Sequence, residues 1–132
     1  MLPPQSDSVE KSFTDLGVTI TLIDRSKMSL PVFLWQLFRA IKRSNPAIVH
    51  TILEGSTGTW GRLIGFLAGV PRIMHSDRAT PNPAKTIHSR LRPFLNNRTH
   101  HFTPNAFAIA DWLKDSGVPE KDMTVMPNVT NV

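Results

Sequence analysis

Apolar residues along this chain follow two alternating patterns: short β-branched runs and longer stretches with helical spacing. The short runs predict five strands. They cover residues 18–23, 47–51, 70–75, 100–103 and 123–126. The longer stretches predict five helices, most of them followed by glycine or proline. They cover residues 9–16, 30–44, 62–68, 85–92 and 106–116, with Pro93 ending or kinking the fourth and Asn105 as N-cap of the last.

Short strands that alternate with helices in this way are typical of right-handed βαβ units. The pattern predicts an α/β fold: a three-layer domain whose mainly parallel sheet has about five strands and is covered on both faces. Ligands of such sheets bind outside the carboxyl ends of the strands. The residues that directly follow each strand are therefore the candidates for a functional site.

The composition limits the chain to one small domain. A chain of 132 residues can bury one hydrophobic core. We therefore expect a single domain over residues 9–132, preceded by a loose segment at residues 1–8. No cysteine is present, which excludes a disulfide scaffold and a thiol nucleophile. Neither a secretory signal nor a membrane-spanning run is evident, which predicts a cytoplasmic location. The net charge of +5 favours anionic partners.

A loop rich in glycine, serine and threonine is predicted at residues 54–61, between a strand and a helix. Glu54, Gly55 and Ser56 begin it, and a helix N-terminus there would suit a phosphate or a sugar hydroxyl. A tight turn with a Ser or Thr cap is the alternative. Gly61, Gly65 and Gly69 recur at every fourth position, which indicates close packing of the helix on the sheet.

A second cluster, His75-Ser76-Asp77-Arg78, begins at the last residue of the predicted strand 70–75. The histidine could donate to a substrate hydroxyl, because its protonation is tunable near neutral pH. Arg78 could bind a phosphate or carboxylate with both arms of its guanidinium group. Alternatively, Asp77 pairs with Arg78 and the cluster is structural. His50 ends the preceding strand, where a packing role and a site role are both open.

Two further surfaces leave alternatives open. The basic residues between Lys85 and Arg98 lack interleaved aromatic residues, so binding of nucleic acid is not favoured over a phosphate, an anionic lipid or a solvated face. The helix at 30–44 has a wide apolar arc flanked by Arg39, Lys42 and Arg43. It could lie in a membrane interface or pack against the rest of the protein. No set of residues with metal-ligand spacing is evident, so no metal is expected.

Several segments, taken in order, resemble the amino-terminal half of a bacterial family 4 glycosyltransferase. The first are Pro46-Ala47-Ile48-Val49-His50-Thr51 and the run from Gly61-Arg62-Leu63 to Gly69-Val70-Pro71-Arg72-Ile73. Gly117-Val118-Pro119-Glu120-Lys121 and Val125-Met126-Pro127-Asn128 resemble the approach to that family's V-I-P-N-G-V-D signature and the signature itself. The resemblance covers residues 16–128. Val129 stands where the signature has glycine, and Ala106 stands where a serine is common.

This resemblance implies a Rossmann-like domain, one of the two that face each other in the GT-B fold. It implies retaining transfer of a sugar from a nucleotide-sugar donor to a glycoside, lipid-linked or polysaccharide acceptor, with no other cofactor and no metal. By position, His75 matches a histidine that meets the transferred sugar. The acceptor side would be lined by Glu54, Gly55, Ser56, Ser76, Arg78 and Asn105. The family's first strand and its donor domain have no counterpart in these residues, so we expect the chain alone to be inactive and to need a donor domain.

Overall fold

A computed structural model describes residues 11–53, 55–78 and 86–127. The backbone divides into two compact units, Met1–Phe33 and Leu34–Val132. Four helices have both ends among the described residues: α1 (Leu30–Ser44), α2 (Ser56–Leu67), α3 (Ile87–Arg98) and α4 (Phe107–Asp115). Three strands are described: β1 (Ile48–Ile52), β2 (Arg72–Ser76) and β3 (His101–Phe102). Two short 3₁₀ turns lie at Arg25–Lys27 and Glu120–Asp122.

The first unit contains helical turns but no strand among its described residues. Residues 11–15 are helical and end at Gly17, whose φ of 84° closes the helix as the glycine predicted. Asp24 begins the next turn by accepting bonds from the Ser26 N–H and hydroxyl, at 3.0 and 2.6 Å. The strand predicted at 18–23 is wrong. Alternating apolar residues stabilise a strand only beside a partner, and Leu22 here is 67% exposed.

The second unit has a parallel sheet in the order β1-β2-β3. Its Rossmann-like α/β class is confirmed, but the predicted count of five strands is not. The predicted strand at 123–126 is reduced to one parallel bridge, Phe102 with Met123. Thr124 N–H and Met126 N–H donate to the carbonyls of Phe102 and Pro104, at 3.0 and 2.8 Å, so the segment still follows β3.

Successive residues of the strands face opposite sides of the sheet, and the two sides differ. Ile73 and Phe102 face the helices and are buried, and Phe102 packs with Ile109, Leu113 and Val118. On the other side, Ile48 and Ile52 are 51% and 43% exposed. Below we call the first side the helix face and the second the open face.

Helix α2 lies directly on the helix face, because glycines occupy its contact positions. A Cβ on Gly61 would lie 2.5 Å from Cγ2 of Thr51, and one on Gly58 would lie 2.7 Å from Cε1 of His75. The predicted glycine-rich loop at 54–61 is therefore helical from Ser56 onward, which corrects that boundary. The close packing predicted for Gly61 and Gly65 is confirmed. Gly69, with φ 79°, instead closes the helix.

Helix α3 runs six residues past the predicted end at Arg92, with Pro93 inside it. Proline has no N–H to donate to the carbonyl four residues earlier, yet the later turns are retained. Two contacts explain this extension. Leu95 is buried, and the Arg62 guanidinium donates to Asn96 Oδ1 and Thr99 Oγ1, at 2.9 and 3.2 Å. The Thr86–Ser89 capping box places the start at Ile87 rather than 85.

Helix α4 begins at Phe107, and its N-cap is Ala106, without a side-chain cap bond. The prediction of Asn105 as N-cap is therefore wrong. Gly117 closes this helix with φ 98°, as predicted. No helix in the part of the chain that the structure describes has the length and apolar character to cross a bilayer.

Replacement of Gly61 and of Gly65 by alanine should have opposite effects on the free energy of unfolding. Gly61→Ala forces Cβ into Thr51 and should lower the free energy of unfolding by about 1–3 kcal/mol. Gly65→Ala places Cβ at an ordinary 3.6 Å from Val49 and should be neutral or gain up to about 1 kcal/mol from helix propensity. Urea titration followed by circular dichroism compares them. Equal stability of the two variants would contradict the close contact of α2 with β1.

Candidate functional site

A cleft of about 520 Å³ lies at the carboxyl ends of the strands, on the open face. It is lined by His50, Ile52, Ser76, Arg78, Thr103, Met126 and Pro127. Each strand contributes its last residues or those just after it, and the segment beside β3 contributes the rest. The cleft therefore lies where ligands of parallel sheets bind.

Three side chains join the strands across the floor of this cleft. His50 Nε2 on β1 is 2.8 Å from Ser76 Oγ on β2. Ser76 Oγ in turn hydrogen-bonds with Thr103 Oγ1, just after β3. Ser76 and Thr103 are buried, whereas His50 is exposed at its outer edge. The row His50–Ser76–Thr103 thus presents one imidazole and two hydroxyls at a single edge of the sheet.

Burial first, and the positive charge of Arg78 second, hold the pKa of His50 below its usual 6.5. At neutral pH its imidazole is therefore neutral, with one ring nitrogen a donor and the other an acceptor. Arg78 itself is exposed at the rim of the cleft. The site combines a permanent cation with a neutral imidazole, a combination that suits a ligand carrying both anionic groups and hydroxyls.

A second polar row lies on the opposite, helix face, under α2. His75 Nδ1 is 2.7 Å from Thr51 Oγ1, and His75 Nε2 is 3.1 Å from Asp77 Oδ1. All three side chains are buried, and His75 has an exposure of 0%. Both ring nitrogens of His75 are therefore engaged inside the protein.

The structure separates residues that the sequence grouped together. Ser76 and Arg78, both predicted as site residues, line the cleft. His75 lies on the helix face of the sheet instead. The strand β2 extends one residue beyond its predicted end at His75, because Ser76 pairs with Ile52 of β1. Contact of His75 with a sugar stays a prediction.

Three other predicted site residues, Gly55, Ser56 and Asn105, are not among those that line the cleft. Gly55 is the N-cap of α2, with φ 78°, and Ser56 is its first residue, so both serve the turn that begins the helix. Asn105 donates its backbone N–H to the Asp77 carbonyl, at 3.3 Å. Glu54 lies outside the described residues. Thr103, which directly follows β3, also lines the cleft, where the rule for the ends of parallel strands predicts ligand-binding residues.

Two buried side-chain oxygens in the loops after β2 and β3 lack hydrogen-bond donors in the described part of the chain. They are Oδ2 of Asp77, whose residue is 1% exposed, and Oδ1 of Asn105. A buried acceptor without a donor costs about 1–3 kcal/mol. A hydroxyl of a ligand or a water would remove that cost, so these loops are suited to a partner that donates hydrogen bonds.

The remaining candidates have structural contacts. The Arg92 guanidinium lies 5.4 Å from the Trp112 ring centre, and that of Arg98 lies 3.9 Å from Phe94. Two of the basic residues between 85 and 98 thus cover aromatic rings. Within residues 11–53, 55–78 and 86–127, no three His, Asp or Glu side chains gather so that they could hold a metal ion.

Comparison with known proteins agrees with this fold. Residues 3–129 match the family described as glycosyl transferase 4-like domain. Curated proteins give no match. Among solved structures, the complex of S. aureus MnaA with UDP is similar, with a TM-score of 0.64 and 15% identity. The match covers 88% of this chain and 33% of that one, so the chain spans a third of that protein's length. At this identity the match shows the fold alone.

The low pKa of His50 predicts how stability depends on pH. Because the unfolded chain binds the proton more tightly, stability should fall as pH falls through about 6.5 toward the folded pKa, and then level off. Arg78→Gln should raise the pKa of His50 only part of the way toward 6.5, because the lowering that burial causes remains. NMR titration of the ring Cε1–H measures both, and Arg72→Gln is the matched control at the far end of β2. An unchanged His50 pKa in Arg78→Gln would contradict the assignment.

Proposed function

Because this chain belongs to the glycosyl transferase 4-like family, we propose that it forms the acceptor-side domain of a retaining glycosyltransferase. The enzyme would move a sugar from a nucleotide-sugar donor to a glycoside, lipid-linked or polysaccharide acceptor on the cytoplasmic side of a membrane. The observation that carries the proposal is the cleft at the carboxyl ends of the strands, with Arg78 and the row His50–Ser76–Thr103.

The chemistry of the cleft supports an acceptor that has both charge and hydroxyls. Arg78 offers a fork of donors to a phosphate or carboxylate. Ser76 and Thr103 can exchange their mutual bond for bonds to sugar hydroxyls, at little net change in hydrogen bonding. The neutral His50 imidazole can accept a bond from the attacking hydroxyl. Ile52 and Met126 give the cleft an apolar wall against which a sugar ring or a lipid stem can pack.

The donor would be held mainly by a second domain, supplied by another part of a longer chain or by a partner chain. MnaA, which contains UDP in its solved structure, is about three times as long as the part matched here. In the proposed reaction the acceptor hydroxyl would attack the anomeric carbon on the face from which the nucleoside diphosphate departs, and the hydroxyl proton would pass to the departing phosphate oxygen. This domain positions the hydroxyl, and the nucleotide-sugar is a co-substrate rather than a resident cofactor.

Acceptor binding is testable on this chain alone. Titration of the ¹⁵N-labelled protein with a short-chain lipid diphosphate sugar should shift the amide signals of Ser76 and Thr103, whereas UDP should leave them unchanged. Arg78→Gln should weaken binding about 10–100-fold, as expected when a charged hydrogen bond is lost. Arg72→Gln is the control.

Two results would count against acceptor binding in the cleft. One is an absence of shifts with every glycoside tested. The other is equal shifts with inorganic phosphate and with the lipid diphosphate sugar. That second result would favour a non-catalytic module that binds a phosphorylated ligand, for which Arg78 would still account.

The role of His75 needs the complete two-domain enzyme. If His75 contacts the transferred sugar, His75→Ala should reduce kcat at least about 100-fold, whereas Thr51→Val, which removes only its Nδ1 partner, should affect kcat much less. If His75 only holds the end of β2, the two changes should lower activity in parallel with stability. Activity is compared at equal folded fraction, measured by circular dichroism. Unchanged transfer at equal folded fraction would exclude contact of His75 with the sugar, and unchanged stability as well would exclude the structural role.

A further inference from the structure

Helix α1 is unusually apolar for a helix without a fully buried residue. Its sequence, LPVFLWQLFRAIKRS, has large apolar residues at more than half of its positions, yet none of its residues is buried. Trp35, in its middle, is 60% exposed. The helix carries three cations and no acidic residue. An exposed tryptophan on a basic helix indicates a surface that a partner of negative charge could cover.

The exposed residues form one continuous stripe. Trp35, Arg39, Lys42 and Arg43 follow one another at spacings of four, three and one, which places them on the same side of the helix. All four are exposed. The Trp35 ring stacks on Phe38, with ring centres 5.9 Å apart and planes 17° apart. Lys42 Nζ lies 5.9 Å from the Phe38 ring centre. We call these five residues the Trp35 surface.

The chemistry of the Trp35 surface matches the head-group region of an anionic bilayer. Tryptophan has an apolar body and one N–H donor, a combination that suits the boundary between acyl chains and water. Long arginine and lysine stems can lie along apolar matter while their charged ends reach lipid phosphates. Each cation near an anionic leaflet adds to the attraction, and no carboxylate on this helix opposes it. A protein partner would need an equally unbroken acidic face.

We propose that the Trp35 surface binds the surface of an anionic membrane, with Trp35 at head-group depth and Arg39, Lys42 and Arg43 on lipid phosphates. The helix would lie along the interface and would not cross it. This binding does not depend on the glycosyltransferase proposal, because the Trp35 surface shares no residue with the cleft.

Sedimentation with lipid vesicles tests the proposal on the full chain. The protein should bind vesicles that mix phosphatidylcholine with phosphatidylglycerol and should not bind phosphatidylcholine alone. Binding should weaken as salt is raised, since salt screens the charges. The triple variant Arg39→Gln, Lys42→Gln, Arg43→Gln should lose at least about tenfold in affinity. A matched triple, Lys11→Gln, Arg72→Gln, Lys121→Gln, removes the same charge from exposed positions elsewhere and should bind within about threefold of the parent.

Fluorescence identifies the residue that enters the interface. The parent spectrum minus that of Trp35→Phe isolates Trp35 from Trp60 and Trp112, and this difference should shift to the blue only with anionic vesicles. Trp35→Ala should weaken binding, with circular dichroism confirming that the helix is retained. Equal loss of binding in both triple variants, or no blue shift, would overturn the proposal. Self-association without vesicles that Trp35→Ala abolishes would also overturn it and would assign the surface to a second copy of this chain.

Discussion

The close contact between α2 and the sheet is the constraint on which the rest of this structure depends. Gly58 and Gly61 leave room for the side chains of His75 and Thr51, so the backbone of the helix lies directly on these two strand residues. This contact buries the row Thr51–His75–Asp77 and orders the carboxyl ends of β1 and β2. Arg62, on the same helix, donates to its own Gly58 carbonyl and to α3. One short segment thereby ties the sheet and two helices together.

Because strand residues alternate in direction, the same strand ends also produce an exposed site. Thr51 and His75 pair across β1 and β2 on the helix face, while Ile52 and Ser76, one residue further, pair on the open face. The buried row fixes where the strands end. The open row then presents its hydroxyls and imidazole at a defined edge. Stability and binding are thus assigned to neighbouring residues of the same strands, which is why a substitution of His75 and one of Ser76 are expected to act differently.

The sequence predicted the elements whose signals are local. α1 has its predicted bounds, and Gly17, Gly69 and Gly117 each close a helix because a left-handed residue is required there. The predicted start of α2 was wrong, because glycines such as Gly58 and Gly61 suit a loop and also suit a helix that packs closely on a sheet. The predicted start of α3 was two residues too early. The strand at 18–23 failed for another reason. A strand exists only with a neighbour, and no local pattern shows whether that neighbour is present.

The site shows the same division between local and non-local information. The position of Ser76 and Arg78 at a strand end followed from the rule for parallel sheets, and both line the cleft. The partnership of His50 with Ser76 could not be predicted, since it depends on the register of β1 against β2. A slip of one residue would turn His50 under α2 and bring Thr51 to the cleft. The contacts of Gly58 with His75 and of Gly61 with Thr51 favour this register, so residues outside the cleft help to set the position of the candidate site.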